Sequence, residues 1–487
     1  MKNALIVGAG IGGLCTAIRL LNKGYDVTIV EKEEYIGGKF NIRYDGKFKF
    51  DLTASILMTP NIYTDIFKDC KRNYQDYFDL IKLDPLYKVN YYDGSKINFY
   101  NDLGRMTNTL EQIQKGLSIE YMQFLSISLK KYLISKEYFL DKPMINMNEI
   151  LNLQSMNKLI DISPFTTTNS YTSNIISNKK LREYLIFQSM YIGANPYTNS
   201  NVYTLIPAIS HTYGLWYIKG GLYQYIKALE KLLYELGGKI ITNTTVKEII
   251  IYRKKSKGVV TNKGIFKSDV VVCNADFPYA VNKLIKNKSK KRIRELKDKK
   301  YSCSVFMIYL GLNKKYKELN VHNIYINKDF EESIQAPFKG KLPKYPSVYM
   351  YCPSRIDETL CPKGKETLNI MVRVPNLYYN NIKWNKKFIK YYRNIVINEI
   401  KQIKGLEDIE ENILQESYLT PIDLKTKFNS YYGTAFGLSH KLNQTIYFRP
   451  HIRDKKVSNL YFIGSSTHPG NGVSVLIEGS KIIAKLL

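Results

Sequence analysis

The first part of the chain combines two short strand-like segments with a helical pattern. Residues 4–7 are continuously apolar without alternation, as is typical of a parallel strand buried on both faces. Residues 26–30, with Val27, Ile29 and Val30, are predicted to form a second strand. Between them, apolar side chains recur at helical spacing, at Leu14, Ala17, Ile18 and Leu21. The pattern predicts a β-α-β unit, the building block of a doubly wound α/β domain.

The chain leaves this α/β pattern twice and returns to it twice. Residues 102–205 are rich in Leu, Ile, Met and Tyr and are predicted to be largely helical, whereas residues 277–418 form a second excursion. The α/β pattern returns in residues 206–276 and in residues 419–487, which end in a strand and a helix. We therefore predict one domain of residues 1–101, 206–276 and 419–487, interleaved with a second domain of residues 102–205 and 277–418.

One segment of the second excursion alternates strictly between apolar and other side chains. Leu368, Ile370, Val372 and Val374 are separated by Asn369, Met371 and Arg373. Alternation of this kind predicts an antiparallel strand with one buried face. The second domain is therefore expected to contain sheet as well as helices, which makes it α+β.

Composition narrows the class of protein. The 487 residues (56.5 kDa) are 44% hydrophobic, and no run approaches the roughly 18 uninterrupted apolar residues that span a bilayer. Lysines and arginines (72) exceed acids (43), giving a net charge of +29 that would suit nucleic acid or an anionic membrane. This charge is spread over the chain, so we interpret it as compositional bias and expect no nucleic-acid partner. Six scattered cysteines without metal-ligand spacing predict a reduced, cytoplasmic protein without a metal.

The turn after the first strand carries a dinucleotide-binding pattern. Residues 8–13 match G-x-G-x-x-G: Gly8 permits the tight turn, Gly10 lets the backbone approach a pyrophosphate, and Gly13 lets the helix pack on the sheet. Glu31 closes the second strand, where a carboxylate accepts hydrogen bonds from ribose hydroxyls. An acid at this position favours an unphosphorylated ribose, but it does not separate NAD from FAD.

Two further glycine-rich segments are candidate cofactor contacts. Gly37 and Gly38 precede Lys39, which suits a diphosphate or a close approach to a flavin, although the same residues would also suit a simple turn. Residues 464–472 follow a buried strand and open the last helix. The N-terminus of that helix would stabilise negative charge on a reduced flavin ring.

Further short motifs follow the nucleotide loop along the chain. Together with residues 8–31 and 464–472, they are Lys219-Gly220-Gly221, Asn274-Ala275-Asp276-Phe277-Pro278, Tyr301-Ser302-Cys303-Ser304 and Phe448-Arg449-Pro450-His451. In this order and spacing, the motifs resemble the phytoene desaturase family of carotenoid and amine-oxidase-like FAD oxidoreductases, and within it the bacterial dehydrosqualene (diapophytoene) desaturases. The resemblance covers essentially the whole chain.

The resemblance implies a Rossmann-like FAD-binding domain interleaved with an α+β substrate domain of mixed sheet plus helices. FAD is the implied cofactor. The implied cofactor-binding residues are Gly8, Gly10, Gly12, Gly13, Glu31, Lys32, Gly38, Lys39, Val246, Gly464, Gly472 and Val473. The implied activity is desaturation of a long isoprenoid lipid by hydride transfer to the flavin.

The resemblance also implies where the protein works. A hydrocarbon of this length has essentially no aqueous concentration, so we expect a cytoplasmic protein peripherally associated with the cytoplasmic membrane in a monotopic way. A base must remove a proton during desaturation, and His468 and Glu478 are the expected candidates because their segment is implied to lie near the flavin. The sequence does not indicate an oligomeric state.

Some residues depart from the family pattern. Lys39 stands where Arg is usual, Thr53 where Gly is usual and Ser474 where Pro is usual, and Glu478 stands where a neutral residue is usual. These departures keep open another FAD-dependent oxidoreductase of the same fold, either an isoprenoid isomerase, saturase or oxidase or an amine oxidase. A non-catalytic lipid- or nucleic-acid-binding protein is the other alternative, but it would have no physical need for the intact dinucleotide pattern.

Overall fold

A computed structural model describes residues 2–286, 288–379 and 381–487. In chain order, the strands of these residues are β1 (Asn3–Val7), β2 (Asp26–Val30), β3 (Ile42–Asp45), β4 (Phe48–Asp51), β5 (Leu80–Lys82), β6 (Tyr87–Tyr91), β7 (Lys96–Phe99), β8 (Trp216–Ile218), β9 (Lys239–Ile241), β10 (Val246–Tyr252), β11 (Lys255–Thr261), β12 (Gly264–Lys267), β13 (Val270–Cys273), β14 (Ser304–Leu312), β15 (His322–Ile326), β16 (Val348–Tyr351), β17 (Glu366–Val374), β18 (Ile413–Leu419) and β19 (Leu460–Phe462).

The α-helices of the same residues are α1 (Ile11–Asn22), α2 (Pro60–Asp69), α3 (Leu103–Ile113), α4 (Leu117–Ser135), α5 (Asn148–Leu151), α6 (Leu153–Ile162), α7 (Thr168–Ser173), α8 (Lys179–Phe187), α9 (Leu205–Tyr213), α10 (Tyr223–Glu235), α11 (Phe277–Tyr279), α12 (Lys290–Asp298), α13 (Phe330–Gln335), α14 (Lys386–Ile400), α15 (Pro421–Phe428) and α16 (Val473–Leu486).

The first sheet is parallel, with strand order β19-β13-β1-β2-β9. Both of its faces are covered. Ile6 and Ile29 pack on the side of α1, α10 and α16, whereas Leu5 and Val271 pack on the side of β10, β11 and α11. A strand buried on both faces requires the continuous apolar run seen in residues 4–7. The predicted β-α-β unit and its α/β class are therefore confirmed.

The second sheet has seven strands in the order β18-β14-β17-β16-β15-β6-β7, and all neighbours are antiparallel except β15 and β6. The predicted antiparallel strand is β17. Its prediction of one buried face is wrong, because Asn369 on the opposite face is also buried and donates from Nδ2 to the carbonyl of Asp51 at 2.7 Å. The polar face of this strand points into the protein, toward the candidate site.

The structure differs from the predicted domain boundary at residue 101. Strand β6 lies before that boundary, yet it pairs with β15, so β6 and β7 extend the seven-stranded sheet. Strand alternation looks the same in either sheet, and only pairing with a strand more than two hundred residues away assigns β6 to the second one. The mixed sheet and helices predicted for the second domain are present.

Helices α3, α4 and α8 cover one end of the seven-stranded sheet. Their apolar faces enclose a core with Tyr87 and Phe99 of the sheet, and Phe99 stacks on Tyr184 at a ring-centre distance of 3.7 Å. Within the described residues, none of the helices combines the length and the apolar character needed to span a bilayer.

Candidate active site

The nucleotide loop lies at the carboxyl end of β1. Gly8 has φ of +97°, which only glycine adopts without strain, and α1 begins three residues later at Ile11. The loop therefore turns sharply and presents the free N–H groups of the first helical turn to the space above the sheet. Such a helix N-terminus favours an anion, in keeping with the predicted pyrophosphate site.

Neighbouring atoms explain why side chains are absent from this loop. A Cβ on Gly13 would lie 2.2 Å from the carbonyl oxygen of Gly8, and a Cβ on Gly10 would lie 2.7 Å from Oδ1 of Asn274. A Cβ on Gly12 would lie 2.9 Å from Nδ2 of the same asparagine. Asn274 itself donates to the carbonyl of Ile463 at 2.8 Å, so it joins the nucleotide loop to the last strand.

Glu31 lies where the sequence predicts a ribose-binding acid. Its carboxylate is buried and accepts hydrogen bonds from the N–H groups of Ala9 at 2.7 Å and Glu33 at 3.0 Å. Each oxygen keeps lone pairs for ribose hydroxyls. Val246, another predicted contact, begins β10 two residues after Thr244, whose N–H donates to the Glu31 carbonyl at 2.7 Å.

The Lys32 ammonium bonds to protein groups other than the Glu31 carboxylate. Its ammonium donates to the backbone carbonyl of Lys427 and lies 2.8 Å from the carboxylate of Glu33. Lys32 is therefore occupied by protein groups, and its predicted cofactor contact depends on the backbone rather than on the ammonium.

The second glycine pair reaches the first one. A Cβ on Gly38 would lie 3.6 Å from Cα of Gly10, so the two loops border the same space. Lys39 turns toward the carbonyl of Ala435, 3.5 Å away, and Thr53 donates to the Lys39 carbonyl at 2.7 Å. Thr53, a departure from the family pattern, thus supports the loop that carries another departure.

A partly buried acid, Asp276, accompanies Lys39. Burial lowers the pKa of the Lys39 ammonium, and the nearby Asp276 opposes this change. Burial raises the pKa of Asp276, while Lys39, the N–H of Tyr431 at 2.9 Å and the hydroxyl of Ser466 at 2.7 Å act in the opposite direction. Asp276 therefore connects the second glycine pair to the C-terminal loop.

The C-terminal loop leaves open space beside the nucleotide loop. A Cβ on Gly464 would have no described heavy atom nearer than the carbonyl oxygen of Ala275, at 4.0 Å. Gly472 has φ of +126° and immediately precedes α16, which begins at Val473. The free N–H groups of this helix start at the end of the glycine-rich loop, as the sequence predicts.

FAD fits these residues. The space in front of Gly464 is open, the nucleotide loop offers N–H groups to a diphosphate, and the buried Glu31 carboxylate offers acceptors to a ribose. Gly8, Gly10, Gly38, Glu31 and Gly464 surround the carboxyl ends of the parallel strands, which is where α/β sheets bind ligands.

Arg449 holds the C-terminal loop through hydrogen bonds to backbone carbonyls. Its side chain is 1% exposed, and burial lowers the pKa of its guanidinium to about 10. It donates to five backbone carbonyls, those of Leu438, Ser439, Gln444, Ser465 and Thr467. One side chain thus satisfies carbonyls on both sides of the loop, and it does so without a carboxylate among its hydrogen-bond partners in the described chain.

His468 is held by a hydrogen bond within the protein. It is 1% exposed, and its Nε2 must donate to the carbonyl oxygen of Lys142 at 2.8 Å, so Nδ1 is the acceptor nitrogen and has no partner among the described residues. Burial lowers the pKa of His468 to about 4, which keeps the ring neutral at pH 7. A neutral ring of this kind can accept a proton only at Nδ1.

Glu478 lies in the last helix, α16. Because α16 begins at Val473, Glu478 falls in the second helical turn. Its carboxylate pairs with Lys481 at 3.1 Å and with Lys136 at 3.5 Å. Glu478 and His468 therefore share one structural feature, since both bind the segment of residues 136–142.

Several site residues have a structural role that the sequence does not indicate. Asn274, Asp276 and Arg449 belong to motifs that carry the family resemblance, but their burial and partners depend on loops far away in the chain. Asp51 is another case: it accepts from the N–H of Leu222 at 2.8 Å and from the hydroxyl of Tyr351 at 3.1 Å. Burial raises the pKa of Asp51 to about 7, so this carboxyl can exchange a proton near neutral pH.

Comparison with known proteins gives a family match over most of the chain. The model of the family described as flavin containing amine oxidoreductase matches residues 11–479. The 4,4'-diapophytoene desaturase (4,4'-diaponeurosporene-forming) of Staphylococcus haemolyticus is 35% identical, covering 99% of this chain and 98% of its own. The enzyme of the same name from Staphylococcus aureus strain Newman is 33% identical, covering 98% of this chain and 97% of its own.

Solved structures share the fold at lower identity. An oxidoreductase from Methanosarcina mazei has a TM-score of 0.66 and 16% identity, covering 99% of this chain and 100% of its own. A putrescine oxidase triple mutant has a TM-score of 0.66 and 10% identity, covering 99% of this chain and 98% of its own. These likenesses support the two-sheet architecture described above.

Proposed function

Because this chain belongs to the family of flavin-containing amine oxidoreductases, we propose that it introduces carbon–carbon double bonds into a long isoprenoid lipid of the 4,4'-diapophytoene type. The observation that carries the proposal is the similarity to 4,4'-diapophytoene desaturases over 98–99% of the chain. The chain is an FAD-dependent oxidoreductase. FAD, when bound, accepts a hydride from carbon, and the protein must align the substrate and exclude water.

The protein's own residues divide this work between two regions. The loops around Gly10, Gly38 and Gly464 would hold the cofactor, and Glu31 would bind its ribose. The inner face of the seven-stranded sheet, with Tyr349 and other aromatic side chains, would align the hydrocarbon. Aromatic faces also favour positive charge that develops on an alkene.

His468 and Glu478 stay predictions as catalytic groups. Their hydrogen bond and ion pairs to residues 136–142 support a positioning role, in which they hold the helical excursion against α16. His451 supports the same role, because its Nδ1 bonds the carbonyl of Met144 at 2.8 Å.

Conversion of the substrate tests the proposed function directly. The purified, FAD-loaded protein is incubated with 4,4'-diapophytoene in liposomes, and absorption is followed in the carotenoid region. We expect new conjugated-polyene bands that depend on FAD. If the substrate stayed unconverted although the enzyme showed a normal flavin spectrum, this result would contradict the proposal. It would favour another oxidation reaction on the same fold.

We also propose that the protein reaches its substrate by peripheral contact with a membrane. Residues 147–165 include α5 and α6 and expose large apolar side chains to solvent: Met147, Leu151, Leu153, Met156, Ile160 and Phe165. Leu153 is 78% exposed, Ile160 70% and Phe165 79%. Apolar side chains at this density support insertion at a lipid interface, and the net charge of +29 favours an anionic one.

Vesicle binding tests the membrane contact. The double variant Ile160→Glu, Phe165→Glu should lose binding to phosphatidylglycerol vesicles while retaining FAD. Ile265→Glu is the matched control, because Ile265 is 63% exposed on β12, outside this segment. Equal vesicle binding by the double variant and the control would contradict the proposed contact surface.

A further inference from the structure

A small cavity lies between the seven-stranded sheet and the helices that cover it. Its volume is about 10 Å³, and Met190, Ser333, Ser347, Tyr349, Met371 and Arg373 are among the residues that line it. A cavity of this size holds about one oxygen-sized atom. We call Ser333, Ser347, Tyr349 and Arg373 the end-group pocket.

Arg373 brings a positive charge to the pocket without a matching negative one. Within the described chain, no carboxylate forms an ion pair with it; its guanidinium touches the sulfur of Met371 and lies 4.8 Å from the ring centre of Phe436. The titratable groups that face it are the Cys303 thiol and the phenols of Tyr191 and Tyr349.

Those facing groups are not anions at neutral pH. Burial raises the pKa of Cys303 to about 11 and raises the pKa values of Tyr191 and Tyr349 well above their usual range. Burial also lowers the pKa of Arg373, as expected for a cation that is desolvated without a partner.

Other arginines near this sheet are paired. Arg355 lies 3.3 Å from the carboxylate of Glu366, and Arg393 lies 2.8 Å from that of Glu416. The same fold therefore supplies carboxylates to two of its partly buried guanidinium groups, whereas Arg373 meets a cavity. A partly buried guanidinium beside a cavity gains most from an acceptor oxygen, so a ligand oxygen would suit Arg373 as a partner.

The two serines of the pocket can also donate, whereas the Tyr349 hydroxyl is engaged with Oγ of Ser55 at 2.9 Å and with Nδ1 of His322 at 2.8 Å. Ser347 Oγ accepts the N–H of Asn327 at 3.1 Å, and Ser333 Oγ accepts the N–H of Ser347 at 2.7 Å. Neither hydroxyl hydrogen has an acceptor among the residues of the structure. The hydroxyl of Tyr191, which faces Arg373, is likewise buried without a described partner. The pocket thus offers several hydrogens and no anion.

We propose that the end-group pocket binds a carbonyl oxygen, of a carboxylate or an aldehyde, at the end of an isoprenoid chain. The enzyme would then accept isoprenoids with an oxygenated end as well as hydrocarbons. Anchoring one end at Arg373 would also fix how far the chain extends toward the cofactor loops, and so which bond is presented. This inference rests on the proposed isoprenoid function and adds a specificity-determining residue to it.

Binding of short isoprenoids with one skeleton tests the proposal. The FAD-loaded protein is titrated with farnesoic acid and with farnesene, and the perturbation of the flavin spectrum gives both dissociation constants. We expect farnesoic acid to bind at least about ten-fold more tightly, because a guanidinium–carboxylate pair is a strong, charge-assisted interaction. Arg373→Met should remove this preference, and Arg373→Lys should keep part of it.

Controls make the result specific to the pocket. Arg294→Met removes an exposed arginine of α12 and should leave both dissociation constants unchanged. If Arg373→Met does not hold FAD, Ser347→Ala provides the same comparison with a smaller expected loss of preference. An unchanged ratio of the two constants in both pocket variants would overturn the proposal.

A second readout separates substrate binding from an effect on the flavin. If Arg373→Met shifts the midpoint potential of the bound flavin and leaves the ratio unchanged, the charge serves the cofactor and the proposal is overturned. Failure of the proposed function appears differently. Wild-type protein would then not convert 4,4'-diapophytoene, yet the ratio of farnesoic acid to farnesene binding could still depend on Arg373.

Discussion

Glycine is required at two positions of the cofactor loops for different physical reasons. At Gly13 the obstacle is the protein itself, because a Cβ would lie 2.2 Å from the carbonyl oxygen of Gly8. At Gly464 the protein leaves room, with the nearest described heavy atom 4.0 Å away. A methyl group at each position therefore distinguishes a requirement of the fold from a requirement of the cofactor.

Gly13→Ala should destabilise the protein even without FAD. Alanine in a helix gains up to about 1 kcal/mol over glycine, but overpacking against a backbone oxygen costs about 1–3 kcal/mol, so the clash dominates. Gly464→Ala should leave the unfolding free energy of the apoprotein unchanged and weaken FAD binding. Denaturant unfolding of both apoproteins and FAD titration check this pair; equal FAD affinity of Gly464→Ala and wild type would contradict the assigned cofactor space.

His468→Gln tests whether this residue acts on the substrate. The glutamine amide can still donate to the Lys142 carbonyl, so the positioning contact is conserved while the basic nitrogen is lost. If the role is positioning, the FAD-loaded variant keeps its turnover. A fall of about 10²–10⁴-fold, as expected when a general base is removed, would restore His468 as a catalytic group.

The residues predicted from spacing alone are those whose role is local. Gly8, Gly10 and Glu31 lie at fixed spacing in one β-α-β unit, so their positions follow from the chain itself. Arg449 and Arg373 could not be predicted in this way. Their partners come from distant segments, and only the folded chain shows that one meets five carbonyls and the other a cavity.

At the scale of elements, Arg449 holds the loop of residues 464–472 through two of its carbonyls, beside the contacts of Asp276 with Ser466 and of His468 with Lys142. Arg449 joins this loop to residues 438–444 through carbonyl oxygens on both sides. Loops of this length are otherwise free to move, and the cofactor space in front of Gly464 requires a fixed one. These side chains together supply the rigidity that the backbone alone lacks.

Arg449→Met should therefore release the loop and weaken FAD binding strongly. Five carbonyls lose their donor, and at about 1 kcal/mol for each hydrogen bond the unfolding free energy should fall by several kcal/mol. Arg182→Met is the matched control, since Arg182 donates to only two carbonyls, those of Ile176 and Ser177, far from the loop. FAD titration and thermal unfolding compare the two; normal FAD affinity in Arg449→Met would contradict the assigned role.

The prediction of helices and strands succeeded where the spacing of apolar residues matches the buried face of the element. It failed where a polar face is buried as well. Strands β1 and β2 and helix α1 follow the apolar pattern closely. Strand β17 has the alternation of a half-exposed strand, yet Asn369 on its polar face bonds Asp51 inside the protein. Alternation reports that two faces differ, and it does not report that one of them meets water.

At the scale of the whole molecule, burial sets the acid stability. All five histidines have a lowered pKa, chiefly through burial: His211 and His322 to about 3, His468 to about 4, with His440 and His451 also lowered. Below pH 6.5 the histidines of the unfolded chain bind protons, whereas those of the native protein stay neutral. Each histidine therefore lowers the free energy of unfolding as the pH falls toward its pKa in the folded protein.

The pH dependence of one variant isolates this effect. Wild type should lose about 1.4 kcal/mol per pH unit through His468 between pH 6.5 and about 4, and His468→Gln should not. Asp51, whose pKa burial raises to about 7, has the opposite sign: its contribution is lost as the pH rises from about 4 to 7. Asp51→Asn should therefore gain stability relative to wild type as the pH rises. Parallel melting curves across this range for all three proteins would contradict both assignments.

The interleaving of the two sheets was predictable in outline, because the α/β pattern visibly returns along the chain. The entry of β6 and β7 into the second sheet was not, since it depends on pairing with β15. The same limit applies to the pocket at Arg373, which forms only when β16, β17 and residues 187–190 come together.

The central claim is that an FAD-dependent enzyme removes hydride from an isoprenoid chain. Its most direct measurement is the anaerobic reduction of the bound flavin by 4,4'-diapophytoene delivered in liposomes, with the flavin absorption and the polyene product recorded together. We expect bleaching of the flavin in step with product, one double bond for each flavin reduced. A flavin that stays oxidised while the substrate remains unchanged would contradict it.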